Sequence, residues 1–292
     1  MKKYIVVTGG AGFIGSNQIK LFLNKTKFHI ISLDNYSSGK KINHIIDKRI
    51  LYFKGDTKNI AKILDKYKKK IDAIFHFGEF SRIYQSFLEV NKCLNSNVVG
   101  TNAVFNFCLL NKIKLIYSAT SASIGNKGLD RNLSPYAFTK AKNLEMLENL
   151  KKWFKFKFEI VYFYNVYGPN QICKGKMATV IGIFENLYRK KKPLTVVKPG
   201  TQTRRFTHVY DTVETCFYAW KKNKCKHYSI SNKNSYSIIQ VAKMFGGNIS
   251  LLKERPGERY ASALTNVNLS NKVNKLFGKI QLKNYIKDIV NN

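Results

Sequence analysis

Short apolar runs alternate with longer amphipathic segments through the first half of the chain. Continuous apolar runs predict buried β-strands, and apolar residues that recur every three or four positions predict α-helices. The predicted strands are 4–7, 29–33, 50–53, 73–77, 114–118 and 158–163, and the predicted helices are 13–25, 60–67, 87–111 and 135–152. This alternation predicts an α/β fold with a doubly wound parallel sheet, whose ligands lie at the carboxyl ends of the strands.

A glycine-rich turn, Thr8-Gly9-Gly10-Ala11-Gly12-Phe13-Ile14-Gly15, joins the first predicted strand to the first predicted helix. Glycines let the backbone bend tightly and approach a pyrophosphate, and the helix N-terminus supplies N–H groups and a partial positive charge. A tight turn without a ligand is the simpler interpretation of the glycines alone. Asp34 favours the binding site, because it ends the second predicted strand about 20 residues later, where a carboxylate accepts hydrogen bonds from a ribose 2′-hydroxyl. Asp34 would repel a 2′-phosphate, so the sequence predicts NAD rather than NADP.

Tyr136 and Lys140 stand four residues apart at the start of the predicted helix 135–152, directly after Ser134-Pro135. Proline suits the first turn of a helix, and residues four apart share one face. A tyrosine with an ordinary pKa near 10 is a poor base at neutral pH, but a neighbouring ammonium and a positive nicotinamide both favour the phenolate. A surface Tyr/Lys pair is the simpler interpretation of the spacing alone. The preceding dinucleotide motif favours a catalytic pair.

The length of 292 residues allows one sizeable α/β domain and a smaller lobe. We expect residues 1–168 to form an NAD-binding Rossmann domain, with later segments adding to its sheet. Residues 169–292, where the pattern becomes short and mixed, are expected to form a smaller mixed α/β lobe that binds the substrate.

The net charge of +34 suggests nucleic-acid binding, because such a field attracts polyanions. Lysine far outnumbers arginine, however, and Asn, Ile, Phe and Tyr are also abundant, as in proteins of AT-rich genomes. The lysines are spread along the chain rather than gathered in one tail. We therefore expect no nucleic-acid partner, although a positive surface favours anionic substrates such as sugar nucleotides.

Localisation is predicted from what the sequence lacks. No apolar run approaches the roughly 20 residues that span a bilayer, and the first strand leaves no room for a signal peptide. The five cysteines show no metal-ligand spacing, which is typical of scattered thiols in a reducing compartment. We expect a cytoplasmic protein with no membrane insertion and no metal.

Further motifs occur in order along the chain: Gly55-Asp56, His76-Phe77-Gly78, Asn97-Val98-Val99-Gly100-Thr101, Phe163-Tyr164-Asn165-Val166-Tyr167-Gly168-Pro169, Thr203-Arg204-Arg205-Phe206-Thr207-His208-Val209 and Arg255-Pro256-Gly257-Glu258. With the glycine turn and the Tyr136–Lys140 pair, they make the chain resemble the extended short-chain dehydrogenase/reductase family over nearly its whole length. The resemblance is strongest to the NAD-dependent sugar-nucleotide epimerase/dehydratase branch, which includes UDP-glucose 4-epimerases.

The resemblance implies roles for individual residues. It implies a catalytic group of Thr120, Tyr136 and Lys140, in which Thr120 hydrogen-bonds the sugar O4 while Tyr136 removes its proton. The implied cofactor-binding residues are Gly9, Gly12, Phe13, Ile14, Gly15, Asp34, Asn35, Asp56, Thr57, Phe77, Gly78, Asn97, Ser118, Tyr136, Lys140 and Tyr164. The implied substrate-binding residues are Glu79, Ser121, Asn165, Arg204 and Arg255, with the two arginines at the nucleotide diphosphate.

The reaction is predicted by the two residues directly after Thr120. The 4,6-dehydratases of this branch place Asp-Glu there, because elimination of water needs an acid and a base, whereas this chain has Ser121-Ala122. Epimerisation at C4 needs only the tyrosine and NAD, so it is the first prediction. A C4 dehydrogenase that releases its keto sugar is the second, and a non-catalytic NAD-binding regulator is less favoured.

Several points stay open in the sequence. Ser121 could replace Thr120 as the catalytic hydroxyl, and Glu79 could contact a sugar hydroxyl or pair with Arg82. Ser262 falls where 4-epimerases limit room for the C2 substituent of the sugar, and a small residue there would admit an N-acetyl group. The resemblance also implies a homodimer and a pathway in polysaccharide biosynthesis.

Overall fold

The computed structural model describes residues 2–124, 126–257 and 273–291. Its central sheet contains β1 (Tyr4–Thr8), β2 (His29–Asp34), β3 (Ile50–Lys54), β4 (Ile71–His76), β5 (Lys114–Thr120), β6 (Phe158–Phe163) and β11 (His227–Ser229). All seven strands pair in parallel, in the order β11-β6-β5-β4-β1-β2-β3. Six of them follow the doubly wound order of dinucleotide-binding folds, which confirms the predicted fold class.

Both faces of this sheet are buried, which explains why its strands are continuous apolar runs. In β1, Tyr4 and Val6 pack into the core on one face, and Ile5 and Val7 pack into the core on the other. The first face is covered by α2 (Ile60–Leu64), α5 (Thr101–Leu110) and α6 (Pro135–Phe154). The second is covered by α1 (Phe13–Lys25) and α8 (Val209–Lys222).

The predicted helix 87–111 is divided in the structure, so the prediction of one continuous helix was wrong. α3 (Ile83–Leu88) ends at Glu89, whose φ of −129° and ψ of 48° leave the helical path. α4 (Val90–Leu94) then continues through a π-helical turn, Asn95–Gly100, into α5. Apolar periodicity persists across a break at a single residue, so the pattern could not reveal it. Likewise, the predicted helix 60–67 ends at Leu64 and continues as a 3₁₀ helix, Asp65–Lys70.

The remaining elements form a smaller mixed lobe. They are β7 (Val166–Tyr167), α7 (Val180–Arg189), β8 (Leu194–Val197), β9 (Thr203–Arg205), β10 (Thr207–His208), β12 (Ser235–Ser237), α9 (Ile238–Phe245), β13 (Ile249–Leu252), α10 (Val273–Leu276) and α11 (Leu282–Asn291). The strands pair two by two, as β7 with β10, β9 with β12 and β8 with β13. Phe184, Leu194, Phe245 and Ile286 are among the buried residues of the lobe's own core.

Segments beyond residue 168 also pack with the central sheet. β11 is the edge strand beside β6, and α8 packs Cys216, Ala219 and Trp220 against the sheet. The carboxyl ends of β1, β2, β4 and β5 and parts of the lobe line one shared cavity. Among the helices of the described ranges, none has the length and apolar character to cross a membrane.

Candidate active site

A cavity of about 1040 Å³ lies at the carboxyl ends of the central strands. Its lining brings together most of the predicted site residues: Gly9, Gly12, Phe13, Ile14, Gly15, Asp34, Asn35, Asp56, Thr57, Phe77, Gly78, Glu79, Ser118, Thr120, Ser121, Tyr136, Lys140, Asn165, Arg204 and Arg255. Asn97 and Tyr164, which were also predicted, are not part of this lining. One cavity therefore joins the glycine turn, the Tyr/Lys pair and both arginines.

The glycine turn between β1 and α1 leaves no room for side chains. Gly9 has a φ of +69°, and a Cβ there would lie 2.9 Å from the amide nitrogen of Gly78. A Cβ at Gly15 would lie 2.1 Å from the carbonyl oxygen of Gly9. Gly12 is the N-cap of α1 and has no side chain to occupy the N–H groups of the first turn. This turn, at the positive end of a 13-residue helix, fits an anionic diphosphate.

Asp34 lies at the end of the cavity that the glycine turn lines. Its carboxylate accepts hydrogen bonds from the backbone N–H groups of Ala11, at 2.9 Å, and Tyr36, at 2.7 Å. Burial raises the pKa of Asp34, and these two hydrogen bonds oppose the increase. A carboxylate so oriented at the end of β2 fits the hydroxyls of a ribose, and therefore the adenosine half of NAD.

The predicted catalytic hydroxyls, Thr120 and Tyr136, both line the cavity. Thr120 ends β5, and its Oγ1 accepts a hydrogen bond from the amide of Ala122 at 3.2 Å, so its own hydrogen can be donated elsewhere. Tyr136 lies in the first turn of α6, which begins with Ser134 as N-cap and proline at its first position. The amide of Tyr136 donates to Ser86 Oγ of α3 at 3.2 Å. Thr120 and Tyr136 are each 9% exposed.

Lys140 is buried one helical turn beyond Tyr136. Its Nζ donates short hydrogen bonds to Glu79 Oε2 and to the carbonyl oxygen of Ser118, and it lies 3.3 Å from the hydroxyl oxygen of Tyr117. The side chains of Lys140 and Glu79 are only 5% and 3% exposed. Burial lowers the pKa of Lys140, and the charge of Glu79 opposes this decrease.

Glu79 was expected to contact a sugar hydroxyl or to pair with Arg82, and in the structure its ionic partner is Lys140 instead of Arg82. A contact between Glu79 and a sugar hydroxyl stays a prediction. Its Oε1 accepts hydrogen bonds from Thr101 Oγ1 at 3.0 Å, Tyr117 OH at 3.1 Å and Asn143 Nδ2 at 3.3 Å. With Lys140 on Oε2, the carboxylate faces the interface between β5, α5 and α6. The physical reason is that a buried carboxylate needs a cation, and Lys140 lies within its reach.

His76 links this cluster to the glycine turn. Thr8 Oγ1 lies 2.7 Å from His76 Nδ1 and accepts hydrogen bonds from the amides of Phe77 and Gly78, so it donates its hydrogen to the ring. His76 Nε2 lies 3.0 Å from Thr101 Oγ1, which donates onward to Glu79. Burial lowers the pKa of His76 to about 4, so the ring is neutral at pH 7.

The sequence interpretation missed Tyr117, Asn143 and Thr101 as members of the site. Asn143 could have been found, because it follows Lys140 by three positions and shares its face of α6. Thr101 was noted only as the end of a motif. Tyr117 was assigned only to a buried strand, because an apolar run does not show which hydroxyl group contacts a charged side chain.

Asn97 and Tyr164 make supporting contacts instead of lining the cavity. Asn97 Oδ1 accepts from the Phe80 amide at 2.7 Å, and its Nδ2 donates to the Phe80 carbonyl at 3.0 Å. It thereby fixes the loop after β4. The hydroxyl of Tyr164 accepts a hydrogen bond from Ser229 Oγ of β11 at 3.1 Å. The motifs that contain these residues predicted their neighbourhood but not the direction of their side chains.

The end of the cavity formed by the smaller lobe is basic. Arg204 of β9 is 8% exposed, and its Nη1 donates to the carbonyl oxygen of Thr203 at 2.9 Å. The Arg255 guanidinium carbon lies 5.0 Å from the centroid of the Tyr84 ring. Asn165 Nδ2 donates to the carbonyl oxygen of Arg205 at 3.0 Å. Ser262 and Glu258 lie outside the described residues.

The comparisons of this chain with known proteins agree on one family. Residues 5–231 match the model of the NAD dependent epimerase/dehydratase family. The chain is 30% identical over 256 residues to an ADP-L-glycero-D-manno-heptose-6-epimerase of Brachyspira hyodysenteriae, which covers 82% of this chain and 79% of that protein. It is 30% identical over 274 residues to dTDP-D-glucose 4,6-dehydratase of Homo sapiens, which covers 88% of this chain and 76% of that one.

A solved structure agrees with these sequence relatives. The UDP-N-acetylglucosamine 4-epimerase of Methanobrevibacter ruminantium, in complex with UDP-N-acetylmuramic acid, superposes with a TM-score of 0.86 at 25% identity, over 100% of this chain and 98% of that one. The glycine cradle and the Asp34 carboxylate fit the cofactor that the family name states, so NAD is the cofactor of this enzyme. The chain belongs to the NAD-dependent epimerase/dehydratase family.

Proposed function

We propose that this enzyme epimerises a nucleoside-diphosphate sugar at C4 through a transient 4-keto sugar. One observation carries the proposal: Thr120, Tyr136 and Lys140 all line the cavity that also contains the glycine cradle. A hydroxyl donor can position a secondary alcohol, and a phenol with a neighbouring ammonium can take and return its proton during a reversible oxidation.

Each of these residues has a definite task in the proposal. The Thr120 hydroxyl donates to the sugar O4 and fixes its position. Tyr136 as phenolate removes the O4 proton and later returns it, and Lys140 would hold the nicotinamide ribose when NAD is bound. When bound, NAD supplies the reversible hydride acceptor. Inversion requires that the 4-keto sugar turn over in the cavity while the diphosphate stays held.

The segment after Thr120 supports epimerisation over dehydration. Elimination of water across C5–C6 needs an acid and a base in addition to the tyrosine, and the dehydratases of this branch carry Asp-Glu at that point. Here Ser121 and Ala122 form a 3₁₀ turn whose residues are buried. Neither has a group that titrates near neutral pH, which favours a reaction that Tyr136 performs alone.

Charge at the substrate end supports an anionic substrate. We propose that Arg204 and Arg255 bind the diphosphate, because a guanidinium forms paired hydrogen bonds with phosphate oxygens. Asn165, at the same end of the cavity, is proposed to contact the sugar. The 4-epimerase from Methanobrevibacter ruminantium was solved in complex with UDP-N-acetylmuramic acid, which is an anionic ligand of this class.

A proton NMR time course tests the proposed function. The purified protein is incubated with UDP-glucose, UDP-N-acetylglucosamine, a GDP-hexose, dTDP-glucose or an ADP-heptose, first without and then with added NAD⁺. We expect a new C4-epimer signal to grow without net NADH. A keto-sugar signal that grows only with NADH would establish the C4 dehydrogenase instead, and loss of H6 signals as a methyl group forms would establish a dehydratase.

We also propose that the enzyme is cytoplasmic and takes part in polysaccharide biosynthesis. We further propose that it forms a homodimer through α4, α5 and α6. α6 packs beside α4, α5 and the π-helical turn Asn95–Gly100 that joins them. This surface exposes apolar side chains, Val98 (44%) and Val99 (50%) in the turn and Met146 (42%) and Trp153 (63%) on α6. Sedimentation velocity should give about twice the mass of one chain, and Val99→Asp should shift the protein toward monomer. A single-chain mass for the unaltered protein would contradict the dimer.

A further inference from the structure

Glu79 and Lys140 form an ion pair that is almost fully buried. The Lys140 ammonium donates to Glu79 Oε2, and the side chains of Glu79 and Lys140 are 3% and 5% exposed. Two uncharged acceptors bind the same ammonium, the carbonyl oxygen of Ser118 and, at 3.3 Å, the hydroxyl oxygen of Tyr117. In the described part of the chain, Glu79 is the only carboxylate that pairs with Lys140. Glu79 therefore supplies the negative charge that balances this buried ammonium.

The Glu79 carboxylate is held in its ionised form and in one orientation. Its Oε1 accepts hydrogen bonds from Thr101 Oγ1 at 3.0 Å, Tyr117 OH at 3.1 Å and Asn143 Nδ2 at 3.3 Å. Hydrogen bonds to the charged form of a carboxyl group favour that form. These donors come from α5, β5 and α6, so the carboxylate cannot turn away from Lys140 without leaving buried donors unpaired.

A buried lysine keeps its proton only when an anion is close to it. Burial favours the neutral amine over the ammonium, whereas a carboxylate in contact favours the ammonium. In this protein, burial lowers the pKa of Lys140, and the charge of Glu79 opposes this decrease. Without Glu79, Lys140 would become a neutral amine at a lower pH. A neutral amine has no charge with which to stabilise the phenolate of Tyr136, one helical turn away.

We propose that Glu79 is a positioning residue that keeps Lys140 as an ammonium beside Tyr136, so that Tyr136 can act as a base near neutral pH. The proposal rests on the proposed function, in which Tyr136 is the base. The effect of Glu79 on Tyr136 passes through Lys140. Of the three contacts of the ammonium, that with Tyr117 is the longest, so a ribose hydroxyl of NAD can replace it while the ion pair stays intact.

The other titratable groups near Lys140 do not supply a negative charge. Tyr117 of β5 and Cys93 of α4 have pKa values raised by burial, so both are neutral near pH 7. His76 of β4 is linked to Glu79 through a threonine, and it is neutral because burial lowers its pKa to about 4. The ion pair therefore depends on Glu79 alone among these groups.

Charged residues on the other elements beside α6 have partners or positions of their own. Arg82, the N-cap of α3, donates to backbone carbonyl oxygens. Glu89, which follows α3, pairs with two exposed lysines. Asp130 lies in the 3₁₀ helix Asn126–Asn132, which precedes the N-cap of α6, whereas Lys140 lies in the second turn of α6.

The first experiment titrates Lys140 and Tyr136 directly in the intact protein. Lysine labelled with ¹³C at Cε and tyrosine labelled with ¹³C at Cζ are observed by NMR between pH 5 and 11. Lys140→Met and Tyr136→Phe identify the two signals. In Glu79→Gln we expect the pKa of Lys140 to fall by about one unit or more, and the pKa of Tyr136 to rise by about one unit or more.

Two further variants separate the charge of Glu79 from its size. Glu79→Asp keeps the charge and should move both titrations less than Glu79→Gln does. Glu145→Gln is the matched control, because Glu145 is an exposed carboxylate on α6 that pairs with Lys142. A lower pKa of Tyr136 in Glu79→Gln would overturn the proposal, since it would show that Glu79 acts on the phenol through its own negative charge. Unchanged titrations would overturn it as well.

The unaltered protein decides the question if Glu79→Gln does not fold. The proposal requires that Lys140 keep its proton to a higher pH than Tyr136 does, because the phenolate forms beside an ammonium. If Lys140 loses its proton before Tyr136, the proposal is wrong.

These titrations need no sugar substrate, so they separate this proposal from the proposed function. Failure of every sugar nucleotide in the NMR panel would leave the Glu79 result intact, and the reverse also holds. Where turnover is found, the rise of kcat with pH should move to higher pH in Glu79→Gln, with KM less affected, and Glu79→Asp should restore most of it. A merely structural role for Glu79 would lower kcat at every pH without moving that rise.

Discussion

Asp34 and Glu79 are two carboxylates in one cavity, and the molecule holds them in different ways. Asp34 accepts hydrogen bonds from two backbone N–H groups, and its position follows from the strand that it ends. Glu79 accepts its hydrogen bonds from side chains of α5, β5 and α6. The first region is built by the backbone and the second by side chains that converge from distant parts of the chain.

The two regions tolerate the loss of their carboxylates differently. Around Asp34, removal of the carboxylate leaves peptide groups beside a cavity that water can enter. Around Glu79, the same change leaves an ammonium buried without its counter-ion, which is far more costly. The comparison therefore predicts that Glu79 matters for stability and Asp34 for cofactor binding.

The largest expected effect comes from breaking the buried pair. Glu79→Ala should lower the free energy of unfolding by about 3–5 kcal/mol, because Lys140 is left buried and unpaired. Asp34→Ala should lower it by roughly 1–2 kcal/mol, since the N–H groups that lose their acceptor can bind water. Urea denaturation of the NAD-free protein measures both values.

The double variant Glu79→Gln with Lys140→Met is the control for that prediction, because the amide oxygen can still accept the hydrogen bonds that Thr101, Tyr117 and Asn143 donate. It removes both charges and leaves no buried ammonium unpaired, so this variant should recover most of the loss. Equal losses in Glu79→Ala and Asp34→Ala would contradict the comparison.

The next effect is a pH dependence in the Glu79 region. The pKa of His76 is lowered by burial to about 4 from an ordinary value of 6.5. The unfolded chain therefore binds a proton that the folded chain does not, and stability falls as the pH decreases from 6.5 toward 4. At pH 5 the contribution of His76 amounts to a loss of about 2 kcal/mol relative to pH 7. The shift of Asp34 has the opposite sign, because its raised pKa makes protonation relieve the folded state.

His76→Gln isolates this contribution. Urea denaturation at pH 7 and pH 5 should show a drop about 2 kcal/mol smaller in the variant than in the parent. His208, whose pKa is also lowered by burial to about 4, is present in both proteins and cancels in the difference. An identical drop in the two proteins would show that His76 is not neutral in the folded protein.

The sequence predicted the Asp34 region better than the Glu79 region. The glycine turn, Asp34 and the alternation of strands and helices in a parallel sheet were predicted, because backbone geometry depends on local residue types. Lys140 was predicted from its spacing to Tyr136, but its partner was not, since Glu79 lies 61 positions away. Asn97 and Tyr164 show a second limit of the sequence. Their motifs located both residues near the site, but a motif does not give the direction of a side chain. Contacts between distant side chains depend on tertiary packing that no local pattern contains.

Cofactor affinity should reverse the order of the two carboxylates. Asp34→Ala should raise the Kd for NAD roughly 10- to 100-fold, because hydrogen bonds from ribose hydroxyls to a charged group are lost. Glu79→Gln should change it less, since the Glu79 side chain is 3% exposed and faces the helices. Calorimetric titration of NAD into the cofactor-free protein measures both constants. Asp47→Ala is the control, because Asp47 lies outside the NAD cavity. Similar dissociation constants for Asp34→Ala and Glu79→Gln would contradict the predicted difference between the two carboxylates.

The smallest effect extends the comparison to the lobe, where Arg204 is proposed to bind the diphosphate. Arg204→Ala should raise the KM of the sugar nucleotide that is turned over by at least about tenfold, or about 1.4 kcal/mol of ground-state binding, with kcat less affected. Arg204→Lys should recover only part of the loss, because an ammonium cannot form the paired hydrogen bonds of a guanidinium. The Kd for NAD should not change in either variant, since the cofactor is held by the glycine turn and Asp34. An unchanged KM in Arg204→Ala would remove this residue from the substrate site and leave Arg255 as the arginine to test.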